Sequence, residues 1–167
     1  MAEKEDKDID SLIDQGLNAE NNELDLREKE LDDEDLIKVL ESDKVKGVTA
    51  LFLEFNDIGD EGLKVLVESD KMKFLTALNL FKNKVTDEGL KALAKSKNML
   101  NLSELILSDN EISPEGAKMV ATSNILGSLV SLWLGDKIGD EGVKALATSE
   151  TLTRLTQLSL YRNNIGN

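Results

Sequence analysis

Two rhythms of hydrophobic residues alternate along this chain. Around Leu24, Leu51, Leu78, Leu105, Leu132 and Leu158 apolar residues recur at every second position, each anchor being followed two residues later by Leu26, Leu53, Leu80, Leu107, Leu134 and Leu160. Side chains of an extended strand point alternately to its two faces, so this rhythm predicts short strands with their leucines turned inward. Further along each copy the spacing lengthens, pairing Leu36 with Val39, Leu63 with Leu66, Leu90 with Leu93, Ala117 with Val120 and Val143 with Leu146. That is the rhythm of a helix with one buried face.

The join between the two rhythms carries its own signal. Asp32, Gly59, Thr86, Ser113 and Gly139 belong to the residue types favoured just before a helix. Pro114 falls at the first helical position, where its missing N–H costs nothing. Its counterparts Asp33, Asp60, Asp87 and Asp140, each followed by glutamate, then lie at the positive end of the helix dipole. Recurring carboxylates invite a metal array as explanation, but their place in the first helical turn makes helix-start chemistry the better reading.

The anchors stand 27 residues apart four times and then 26. A fixed period of this length predicts stacked strand–helix units, each burying its core against the next. Residues 22–167 hold five full copies and a truncated sixth, and residues 1–21 read as an acidic N-terminal helical cap, with Ile9, Leu12, Ile13 and Leu17 on one face. The C-terminal copy stops after its strand half. The expectation is a piece of a longer array, with cover by a partner or a second copy of the chain as the alternative.

With "LTALNLFKNKV" at 75–85, "LSELILSDNEI" at 102–112 and "VTALFLEFNDI" one substitution away at 48–58, the chain resembles leucine-rich repeat proteins of the ribonuclease-inhibitor-like class. The resemblance implies an α/β solenoid, a horseshoe with a parallel sheet on the concave side and helices on the convex side. It also implies a ladder in which Asn56, Asn83, Asn110 and Asn163 bond backbone groups after each strand. Lys29 departs from that pattern in the first copy. In the fifth, one residue shorter, Asp136 is the expected stand-in.

Charge narrows the function. The chain carries a net charge of −13, which opposes binding to nucleic acid or anionic membranes. Without cysteine or histidine, the usual nucleophile–histidine catalysis and zinc sites are excluded. Neither a cofactor nor catalysis is expected, although a pocket burying a substrate near Glu104 or Asp109 would revive an enzyme using paired acids. With no disulfide framework and no signal-like N-terminus, a cytoplasmic location is the expectation, or export as an effector acting in a host cell.

The candidate site comes from the residues between the leucines, which alternation turns toward the hollow. Of the six aromatic residues, Phe52, Phe55, Phe81, Trp133 and Tyr161 fall in those columns; Phe74 alone does not. With Ile106 they predict an exposed apolar stripe, the mark of an interaction surface. Mutual stacking of the rings, or their burial under the sheet ends, is the competing reading. Glu54, Lys82, Asp109 and Arg162 are expected at the rim, setting orientation. The function expected is non-catalytic capture of a protein partner on the concave sheet; self-association through the uncapped last repeat is the alternative.

Overall fold

Six of the leucine anchors sit on six parallel three-residue strands in the computed structural model, which describes residues 7–135 and 137–166. These strands are β2 Glu23–Asp25, β3 Ala50–Phe52, β4 Ala77–Asn79, β5 Glu104–Ile106, β6 Ser131–Trp133 and β7 Gln157–Ser159. The register follows the repeat, so that Leu24, Leu51, Leu78, Leu105, Leu132 and Leu158 lie side by side across the sheet. A seventh strand, β1 Leu17–Asn18, adds antiparallel to β2. The expected helical face ending at Leu17 is therefore shorter than the pattern suggested: α1 runs Ile9–Gly16 and Leu17 opens the strand.

Each parallel crossover contains one α-helix: α2 Asp33–Glu41, α3 Asp60–Glu68, α4 Asp87–Leu93, α5 Pro114–Ala121 and α6 Gly139–Ala147. The core lies between sheet and helices. Leu51, Leu78, Leu105 and Leu132 are at most 1% exposed, whereas Leu158, at the last edge, is 43% exposed. The sheet is thus an α/β leucine-rich solenoid in which every coil buries the flank of the one before it.

Three hydrogen-bond ladders join the coils. In the first, Asn83 Nδ2 donates to Leu53 O at 2.8 Å and Leu80 O at 3.2 Å, while its Oδ1 accepts from Ile58 N at 2.9 Å. Asn56, Asn110 and Asn163 repeat the arrangement. At the Lys29 position the backbone N–H instead donates to Asn56 Oδ1. The expected substitute Asp136 lies outside the described residues.

The second ladder adds to a sequence-based expectation, since Asp33, Asp60, Asp87 and Asp140 do lie in the first turn of their helices. The aspartates at the helix starts do not simply face their own helix dipole; each reaches forward to the next coil. Asp60 Oδ1 accepts from Thr86 N at 2.8 Å and Gly89 N at 3.0 Å, and its Oδ2 from Thr86 Oγ1 at 2.6 Å. Asp33 similarly accepts from Gly59 N, Asp87 from Ser113 N, and Asp140 from Gly166 N. Gly62, Gly89 and Gly116 make room for the carboxylate, whereas Gly142 faces Ile138 and Ala117 instead. A Cβ on Gly89 would lie 2.6 Å from Asp60 Oδ1, and one on Gly116 would collide with the same atom of Asp87.

Pro114 interrupts this ladder because it has no carboxylate to offer. The residue missing from the fifth copy shifts the next helix start: Gly139 was expected to cap α6, yet it is the first helical residue, with φ +55°. The third ladder runs behind the sheet, where Ser96, Ser123 and Ser149 donate their hydroxyls to Val67 O, Ala94 O and Ala121 O of the preceding coil.

Candidate protein-binding face

Just past β2, β3, β4, β5 and β7, before the ladder position, the backbone makes a left-handed turn. Phe55 and Lys82 have φ 55°, Asp109 58° and Arg162 65°, with Glu28 at 56° in the first copy. None is glycine, and this conformation costs roughly 1–2 kcal/mol for an L-residue. Inter-coil bonds hold it in place, among them Phe55 N to Phe81 O at 3.0 Å and Lys82 N to Ser108 O at 2.9 Å. The strained column contains four of the ten candidate binding residues. Backbone strain held in place by its surroundings is a recurring property of functional surfaces.

Two adjoining hollows open on the concave side. The larger, about 650 Å³, brings together Glu54, Phe55, Phe81, Ile106 and Trp133 from the candidate set, with Asp25, Arg27 and Asn79 beside them. The smaller, about 400 Å³, is lined by Asp109, Tyr161 and Arg162, and shares Phe81 and Trp133 with the first. Phe52 and Lys82 line neither. Instead, Arg27 packs over the Phe52 ring at 5.6 Å and Lys82 over Phe55 at 4.9 Å.

The rings divide by exposure. Phe55, Trp133 and Tyr161 are 43%, 45% and 72% exposed, while Phe52 and Phe81 are half-buried. Phe55 and Phe81 do stack, edge to face with centroids 5.3 Å apart, an arrangement the ring quadrupoles favour. Neither Phe81 nor Trp133 is packed beneath the sheet.

Two candidates stand elsewhere than expected. Ile106, between Asn79 and Trp133 in the sheet register, is 9% exposed and forms floor, not surface stripe. Glu54 is not a rim residue: it is 8% exposed, because Asn79 Nδ2 donates to its Oε1 at 2.8 Å and lays the side chain along the sheet. Its Oε2 is buried with no hydrogen-bond partner among the described residues, and burial pushes its carboxyl above the usual carboxylate range.

Asp25 and Arg27, outside the candidate set, form an ion pair at the edge of the larger hollow. Arg27 donates to both carboxylate oxygens of Asp25, at 2.9 and 2.5 Å. Its hydrogen bonds hold the Asp25 carboxyl below the usual range. Among the described residues no acidic cluster is arranged as a metal site, and no helix is long and apolar enough to cross a membrane.

Comparison with known proteins agrees with this geometry. A leucine-rich repeat family model matches residues 48–67, 71–94, 98–121 and 135–147. An internalin from Listeria monocytogenes is similar in structure, with 27% identity, a TM-score of 0.56 and coverage of 74% of this chain. The chain spans 32% of that internalin's length. The leucine-rich repeat ectodomain of the receptor kinase SOBIR1 from Arabidopsis thaliana matches over 85% of this chain and 69% of its own, at 17% identity and a TM-score of 0.44. No curated protein sequence matches. Matched repeats, an internalin-like coil and asparagines bridging successive turns lead to one assignment: this chain is a leucine-rich repeat protein.

Proposed function

We propose that the chain captures a protein partner on its concave sheet, with Phe55, Phe81, Trp133 and Tyr161 as anchors over a floor that includes Ile106. Leucine-rich repeat domains generally serve as protein-interaction modules and are typically non-catalytic. One observation carries the specific reading: Trp133 and Phe55 remain 45% and 43% exposed on a face whose strands lie in strict register. Large apolar rings held on a rigid, concave surface bury much area at small entropic cost when a partner arrives. Lys82, Asp109 and Arg162, all in the left-handed column, then orient the partner through charge.

The test is the double variant Phe81→Ala, Trp133→Ala. Loss of about tenfold or more in affinity for proteins retained by the wild type is expected, with the helical circular dichroism unchanged. Full retention of the same proteins by a folded double variant would refute the concave reading.

A second reading, assembly through the last repeat, rests on a different observation. Leu158 and Ile165 are 43% and 46% exposed, although their counterparts Leu78 and Val85 are fully buried. If this edge mediates assembly, the mass from light scattering rises with concentration, and Leu158→Lys abolishes the rise. A constant monomer mass rejects it.

A further inference from the structure

We propose that the larger hollow is built to receive a cationic side chain, a lysine or arginine of the partner segment, against the carboxylate of Glu54. This rests on the concave-binding reading and specifies what that face selects.

The argument begins with an incomplete set of hydrogen bonds. Glu54 is more than nine-tenths buried, lines the hollow, and has one oxygen engaged by Asn79 and the other engaged by nothing among the described residues. A buried carboxylate oxygen without a donor is expensive, and structures seldom retain one without use. A donor entering from the hollow completes the set. Because Oε2 is itself shielded from solvent, the entering group must turn aside a covering side chain.

Charge decides what the donor is. The groups around Glu54 are Asp25 and Arg27 on and just past β2, with Glu28 and Lys29 on the turn beyond. Arg27 is committed to Asp25 by two hydrogen bonds and to the Phe52 ring. With that pair set aside, Glu54 and Glu28 face Lys29 alone, on a chain of net charge −13. An anionic group would meet repulsion. An apolar side chain placed over Glu54 would leave its oxygen unpaired for good. A cation resolves both, favouring the ionised carboxylate through a charge-assisted bond.

The rings favour the same occupant. Aromatic faces attract ammonium and guanidinium groups, tryptophan most strongly. This surface already packs its own cations on rings, with Lys82 over Phe55 at 4.9 Å and Arg162 over Tyr161 at 5.2 Å. Trp133 is 45% exposed and has no ring or cation contact among the described residues.

The experiment selects displayed random short peptides on the wild-type chain and counter-selects them on the Phe81→Ala, Trp133→Ala protein. Ring-dependent binders are expected to be enriched in lysine or arginine. Titration calorimetry should then show that Glu54→Gln, which keeps the shape and the bond from Asn79, weakens the best peptide about tenfold or more. Replacing the peptide's basic residue with citrulline or norleucine should cost a similar factor, and Glu54→Gln should have little further effect on that peptide.

The pH dependence has a definite sign. Burial raises the Glu54 carboxyl in the free protein, and a cation binds its ionised form, so affinity for the basic peptide should rise with pH through the mildly acid range. Affinity that falls over that range, ring-dependent binders without a basic residue, or binders rich in acids would overturn the cation assignment while leaving the concave reading intact. Absence of any ring-dependent binder would overturn both.

Discussion

Replacing Asn83 with alanine is expected to lower unfolding stability by roughly 3–5 kcal/mol, the cost of stranding several buried backbone groups together. The side chain is 9% exposed and supplies Leu53 O, Leu80 O and Ile58 N with their partners. Two of those groups belong to the preceding coil and one to its own, so the loss falls on an interface between coils as well as on one turn. In a stack whose coils contact only their neighbours, that interface is what makes unfolding cooperative. Urea unfolding followed by circular dichroism provides the measurement. A loss below about 1 kcal/mol, the worth of one ordinary hydrogen bond, would mean that water replaces the ladder at little cost.

The second large effect runs against helix propensity. Glycine to alanine inside an exposed helix stabilises by about 1 kcal/mol, yet Gly89→Ala in α4 is expected to destabilise by roughly 2–4 kcal/mol. The added Cβ would lie 2.6 Å from Asp60 Oδ1 and would displace a carboxylate that holds Thr86 N, Thr86 Oγ1 and Gly89 N. A double-mutant cycle isolates the cause. In an Asp60→Ala background most of the Gly89→Ala penalty should vanish, because the obstructing oxygen has gone. Equal penalties in the two backgrounds would place the strain elsewhere, with Leu63 Cδ2 and Val85 Cγ1 next nearest at 3.2 Å.

These two cases mark what was legible in the sequence. The leucine anchors and helix faces repeat the same chemistry at a fixed interval, so burial of Leu78 or Leu90 follows from period alone. Asn83 was legible through family resemblance. The role of Asp60 was not, since its position in the first helical turn points to its own helix while its partners lie 26 and 29 residues ahead. Gly139 was misplaced because one missing residue in the fifth copy shifts the helix start.

At the candidate site, alternation identifies the face a side chain shares but not its depth. Phe81 and Trp133 could be placed on the concave side from their columns. That Glu54 lies down toward Asn79, or that Ile106 becomes floor, depends on which neighbours are large and which donate, and those neighbours come from other coils.

Pro114 has an effect that reaches the binding surface. By withholding a carboxylate from the start of α6, it leaves the joint between α5 and α6 to the packing of Ala117 against Gly142, whereas the next joint keeps its carboxylate through Asp140. The coil of α6 carries Trp133 at the end of β6, the ring shared by the two hollows. Apolar packing lacks the directionality of a carboxylate bond, so small adjustments of curvature fall at the joint beneath Trp133, where the wall between the hollows yields to an arriving chain.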